Sequence, residues 1–165
     1  MNLQDYKDCV DAIDEQLLRS FKETLLRFND IIILGNGGSS AISCHAAEDY
    51  TTVLGKRALC FGDAARLSCY ANDYGWEHAY IKFIEHFALP DTLVVLISSS
   101  GNSKNILNAA EYCRYRHSIV TLSGFSENNP LKTIYGEQSL FHFWVNSSDY
   151  GTVECIHELI LHSVL

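Results

Sequence analysis

The stretch Ile31-Ile32-Ile33-Leu34-Gly35-Asn36-Gly37-Gly38-Ser39-Ser40 passes from an aliphatic run into a turn rich in glycine and serine. Leu93-Val94-Val95-Leu96-Ile97-Ser98-Ser99-Ser100-Gly101-Asn102-Ser103 repeats the plan. A continuous β-branched run is the pattern of a strand buried on both faces, as parallel strands are. Ligands of open α/β sheets sit beyond the carboxyl ends of such strands, where both turns fall. Glycine lets the backbone approach an anion closely, a following helix N-terminus offers unpaired N–H groups, and serine hydroxyls add donors. One such turn could serve only to reverse the chain or cap a helix. Two in equivalent positions predict a phosphate cradle built without cationic side chains.

Outward from these turns the pattern is alternating. Further strands are predicted over 57–61, 118–122 and 140–145, and helices over 41–50, 64–70, 76–87, 104–114 and 152–165. Before the first strand, Leu3, Tyr6, Val10, Ile13, Leu17, Phe21, Leu25 and Phe28 recur in steps of three and four, which predicts one amphipathic helix over 3–28. That helix would cover the sheet or a partner subunit. Five strands alternating with helices predict an α/β fold with a five-stranded parallel sheet covered on both faces, in a single domain.

The 165 residues, 47% hydrophobic, suffice for one core. A formal net charge of -8 argues against broad nucleic-acid or anionic-membrane binding, since both require basic surface. No apolar run approaches the ~20 residues of a membrane span, and the polar start Asn2-Leu3-Gln4-Asp5 does not resemble a secretory signal, so the expected location is cytoplasmic. Six scattered cysteines form no close pair and are expected to be reduced, with Cys60 and Cys155 serving as buried small hydrophobes.

His45 and Asp49 stand four apart on one predicted helix, hence on one face about a turn apart. Glu154 and His162 stand eight apart on the last helix, on roughly one face and ~12 Å along the axis. Imidazole and carboxylate are zinc ligands, but each pair by itself equally describes a solvated helix surface. Asn72-Asp73 is expected in a loop after a short helix, where it could form an Asx turn. His78, His86, His117, His142 and His157 have no spacing that suggests chemistry and are expected to be structural or exposed.

Taken together, these stretches resemble the sugar isomerase (SIS) domain, and within it the phosphoheptose isomerases acting on sedoheptulose 7-phosphate. The resemblance rests on Gly35 to Ser39, on His45-Ala46-Ala47-Glu48-Asp49, on Leu67 to Gly75 with Asn72-Asp73, on Ile97 to Ser103, and on Glu154-Cys155-Ile156-His157 followed by His162. It implies a flavodoxin-like three-layer sandwich, assembled as a homotetramer with interface active sites. Asn36, Gly37, Gly38, Asn72 and Asp73 would contact the sugar, with Ser39, Asp49 and Glu154 also on the substrate. Ser98, Ser99, Ser100 and Ser103 would hold the phosphate. His45, Asp49, Glu154 and His162 fall on the family's metal positions, with one Zn2+ per site and Asp49 and His162 as the acid–base pair.

The chain departs from the family at several of these positions. Asp49 stands for a glutamate and Glu154 for a glutamine, Gly151 and Thr152 replace an aspartate and an arginine, and Val53 replaces an arginine for which Lys56 or Arg57 could substitute. The activity implied is a metal-dependent aldose–ketose isomerisation through an enediol. The alternatives are an isomerase of another phosphosugar or a non-catalytic phosphosugar-binding module.

Overall fold

Five strands pair in parallel throughout: β1 (Asp30–Gly35), β2 (Arg57–Cys60), β3 (Leu93–Ser98), β4 (Ser118–Ser123) and β5 (Phe141–Trp144), in the spatial order β2-β1-β3-β4-β5. The structure is a computed structural model and describes residues 2–165. The helices are α1 (Leu3–Asp11), α2 (Glu15–Leu25), α3 (Gly38–Thr52), α4 (Ala64–Tyr74), α5 (Ala79–Phe87), α6 (Lys104–Cys113) and α7 (Tyr150–His162). Among the described residues no helix is long and apolar enough to cross a membrane.

Successive side chains of a strand point to opposite faces, and the buried strands split accordingly. Ile31 and Ile33 of β1 and Leu93, Val95 and Ile97 of β3 join α2, α3 and α7 in one core. Ile32, Leu34, Val94 and Leu96 join α4, α5 and α6 in the other. Both faces are therefore apolar, and the result is the three-layer sandwich the alternation predicts.

This strand order fixes the location of a ligand. From β1 the chain moves outward to β2, then crosses back to β3 on the other side of β1, so β1 and β3 flank the switch point at which ligands bind in such sheets. Gly35 lies level with Ile97 in the β1–β3 register, which brings the two turns side by side. The opposite end of the sheet is closed by Asp30, which pairs with Arg57 and accepts the Thr92 hydroxyl. Arg57 also donates to the Phe87 carbonyl, and Lys56 to that of Leu26. Neither cation can therefore stand in at the ligand end for the arginine missing at Val53.

The N-terminal helix is not continuous. α1 ends at a C-cap on Ala12, and Asp14 starts α2 by accepting from the Gln16 and Leu17 amides. An N-cap aspartate holds a non-helical backbone, so the break overrides the unbroken apolar stripe. Asn72 and Asp73 are not in a loop, because α4 runs on to Tyr74 before Gly75 caps it. A π-helical turn at Leu131–Tyr135 and a 3-10 turn at Gly136–Gln138 fill a stretch that carried no predicted element. All six cysteines are free, but of the two expected to be buried Cys155 is exposed and Cys60 only partly buried.

His157 is fully buried on α7, with Nε2 donating to the Ser123 carbonyl at 3.1 Å. Burial pushes its pKa down to about 4, and burial lowers that of His142 in the same direction. A folded pKa below the unfolded value means that the unfolded chain binds more protons between the two. Stability is then intact above about pH 6.5 and lost as pH falls toward 4. Urea unfolding should report a loss of roughly 2 kcal/mol between pH 7 and pH 5 from His157. An unchanged midpoint in wild-type protein would contradict this.

Candidate active site

The two turns at the switch point enclose a cavity of about 300 Å³. Its floor is Gly37, Gly38 and Ser39 at the start of α3, and one wall is the serine turn from Ser98 to Ser103. Gly35 has no alternative at its position, because a Cβ there would come within 2.6 Å of the Ser39 carbonyl oxygen. The Ser98 hydroxyl donates to Ser103 Oγ at 3.1 Å, whereas Ser99 Oγ is buried with no partner. A buried hydroxyl left unpaired is costly. A larger cavity of about 620 Å³ lies between α1, α2, β5 and α7, floored by residues such as Ile13, Leu17 and Phe143. It has neither the glycine turn nor the serine turn, so donor chemistry rather than volume singles out the smaller cavity as the candidate site.

Asn36 is committed internally. It exchanges amide hydrogen bonds with Asn105 at 2.8 and 2.9 Å and accepts from the Tyr80 hydroxyl, which also reaches the Gly35 carbonyl. Its side chain ties the glycine turn to the first turn of α6, leaving only its backbone for a ligand. Replacing Asn105 by leucine should leave Asn36 Nδ2 without an acceptor, cost about 1–3 kcal/mol of stability and weaken anion binding, as denaturant unfolding and phosphate titration would report.

α3 and α7 pack side by side in parallel and carry the remaining polar residues. The buried Tyr50 hydroxyl of α3 donates to the Leu161 carbonyl of α7 at 2.8 Å, and Ala46 and Ala47 are buried between the helices and the sheet. His45, Asp49 and His162 converge as a consequence, with one ligand atom from each lying within 4.8 Å of the others. His162 Nε2 is 3.0 Å and His45 Nε2 3.4 Å from Asp49 Oδ2, with ring centroids 4.6 Å apart. The opposite ring nitrogens face Glu158: His162 Nδ1 lies 2.8 Å from its carbonyl and His45 Nδ1 2.9 Å from its carboxylate. That carboxylate, with a smaller push from Asp49, raises the His45 pKa above the usual histidine value.

Both Nδ1 atoms face groups that only accept and so carry protons; whenever the two rings are neutral, both Nε2 lone pairs point at the Asp49 carboxylate. Three Lewis bases this close call for a proton or a cation between them. Two imidazoles and a carboxylate are the donor set of a catalytic zinc with an open position, so the residues fit such a metal.

Glu154 does not join this cluster. It lies against Gly38, where a Cβ would meet its carboxylate, and it lines the serine cavity. Eight residues of helix, ~12 Å, separate it from His162. Burial raises its pKa, favouring the protonated form. Asn72 and Asp73 bond to each other at 2.9 Å on the exposed end of α4 and do not line the cavity. Three functional candidates escaped the sequence reading. Glu158 was signalled by its place midway between Glu154 and His162, whereas Asn105 and Tyr150 carried no signal. Tyr150 lines the cavity and its ring packs edge-on against Phe125, at 4.7 Å between centroids.

No protein-family model matches the chain. It is 32% identical over 153 residues to a phosphoheptose isomerase of Buchnera aphidicola subsp. Schizaphis graminum, covering 88% of this chain and 76% of the relative. It is likewise 32% identical over 124 residues to that of Histophilus somni, covering 67% of this chain but only 64% of the relative. The fold matches the structure of a phosphoheptose isomerase from Neisseria gonorrhoeae with a TM-score of 0.86 at 23% identity, over 98% of this chain and 89% of that one.

Proposed function

Because the chain belongs to the phosphoheptose isomerase family, we propose that it is a metal-dependent aldose–ketose isomerase converting sedoheptulose 7-phosphate to a manno-heptose 7-phosphate. The observation that carries this reading is the convergence of His45, Asp49 and His162 on helices whose first turns form the anion cavity. The phosphate would sit in the serine turn, where Ser99 Oγ lacks a partner, with the Gly37-Gly38 backbone alongside. Glu154, near the α3 N-terminus, would face sugar hydroxyls.

Isomerisation moves one proton from C1 to C2 and another from O1 to O2. Asp49 takes the C1 proton and returns it to C2. His162 takes the O1 proton on the free lone pair of Nε2 and passes it to O2, and its 3.0 Å contact with Asp49 sets the two transfers side by side. A bound zinc would polarise the carbonyl, and His45, Asp49 and His162 would hold it, with Glu154 out of reach within one chain. A homotetramer, in which another copy could complete the site, a cytoplasmic location and a place in surface-polysaccharide precursor synthesis belong to the same reading.

Isomerase assay on sedoheptulose 7-phosphate, with chelator and then with added zinc, tests it. Turnover that chelation abolishes and zinc restores is expected, and no turnover in either condition would overturn it.

Tyr150 and Glu154 on the cavity wall favour a second reading, a different phosphosugar substrate. Tyr150→Ala should change KM several-fold with little change in kcat if the ring contacts the sugar. A substrate panel separates the two readings.

A further inference from the structure

We propose that Glu158 is a positioning residue: its carboxylate holds the proton of His45 on Nδ1 and so turns the Nε2 lone pair toward Asp49 and His162. This rests on the reading of that cluster given above. Glu154, Glu158 and His162 recur every four residues on one stripe of α7, and the stripe faces α3. Along it the roles divide. Glu154 meets Gly38 at the cavity, Glu158 meets His45 and His162 meets Asp49.

The His45 side chain is 54% exposed and sits on the outer face of α3. On its other edge it meets Asp49 Oδ2 at 3.4 Å and the His162 ring, 4.6 Å away between centroids, and Asp49 is already engaged by His162. Without Glu158 the Nδ1 edge of His45 loses its acceptor, and the carboxylate left beside the ring, Asp49, favours the proton on Nε2 instead. With it, the Nδ1–H donates to a carboxylate at 2.9 Å and the proton-free Nε2 points inward. A carboxylate behind a ligating imidazole fixes the tautomer, orients the ring and makes the other nitrogen a better donor.

His162 reaches the same state by a different route, because its Nδ1 donates to the main-chain carbonyl of Glu158 at 2.8 Å. A single residue thus sets both rings, one through its side chain and the other through its backbone. Only the first contact can be removed by mutation, which makes His162 an internal control.

The test uses the metal-free protein labelled with 15N, and long-range proton–nitrogen correlation of the histidine side chains, with His45 assigned by its loss in His45→Gln. At a pH high enough that both rings are neutral, wild-type His45 and His162 should both be Nδ1–H tautomers. Glu158→Leu should shift His45 away from that tautomer and leave His162 unmoved, whereas Glu158→Gln, which keeps an acceptor oxygen, should preserve it. Co2+ titration followed by visible absorption should then show affinity lowered about 10- to 100-fold in Glu158→Leu. A neutral wild-type His45 with its single proton on Nε2, or a tautomer and affinity unchanged in Glu158→Leu, would overturn the proposal. If both histidines shift together, the variant has disturbed the helix packing and the positioning role is refuted. The tautomer is read without metal or substrate, so a protein that binds no dication and turns nothing over would refute the isomerase reading while the role of Glu158 is still decided by its own spectrum.

Discussion

Asp49→Asn should lower isomerase turnover by about 10²- to 10⁴-fold, the contribution of a positioned general base. The substitution keeps the size of the side chain and removes its ability to take a proton. It also removes the charge facing both Nε2 atoms, so dication affinity should fall with it. Phosphosugar binding should change little, because the serine turn lies on the order of 12 Å back along the helices. Two measurements check this: incorporation of solvent deuterium at the product carbon, which should disappear, and calorimetric titration with the phosphosugar, which should not. A variant that exchanges deuterium at the wild-type rate would remove Asp49 from the chemistry.

Gly101→Ala should be the most damaging single change in the phosphate turn. Gly101 has φ of +66°, in the left-handed region where a side chain costs about 1–2 kcal/mol. A Cβ there would also lie only 1.9 Å from Asn129 Oδ1. Asn129 cannot yield easily. It is buried, donates to Ser123 Oγ and to the carbonyls of Gly124 and Ser126, and accepts from the Lys132 amide. Either the serine turn moves or this network breaks, so unfolding free energy should drop by about 3 kcal/mol and phosphate affinity by tenfold or more. Denaturant unfolding and phosphate titration read the two effects. Gly101→Ala/Asn129→Ala should be less unstable than the sum of its single changes, since the overlap is gone. Wild-type stability and affinity in Gly101→Ala would show that the turn does not have this geometry.

The strands were legible because they are buried on both faces: Ile31 to Leu34 and Leu93 to Ile97 have no polar residue to confuse with a helix stripe. The turns were legible from Gly35 to Ser40 and from Ser98 to Ser103, whose residue types are demanded by local backbone conformation. The break at Asp14 was less so, because an apolar stripe and a capping aspartate give opposite local instructions, and the outcome depends on how α1 and α2 meet the sheet. Asn72-Asp73 misled for a related reason: turn-forming residues are tolerated in the last turn of a helix that Gly75 then stops.

By itself the sequence determined the strand–turn–helix units, the absence of cationic side chains from the glycine and serine turns and the helix faces carrying His45, Asp49, Glu154 and His162. Each follows from residues within a few positions of one another. Only the tertiary structure decided which of those side chains meet. His45 and Asp49 lie 113 positions from Glu158 and His162, and their contact depends on α3 and α7 packing in parallel on one face of the sheet. That packing brings three of the four expected ligands together, leaves Glu154 at the cavity and places Glu158 behind His45. No local pattern records this, because the register of two packed helices is set by side chains such as Tyr50 and Ala46 that take no part in the chemistry.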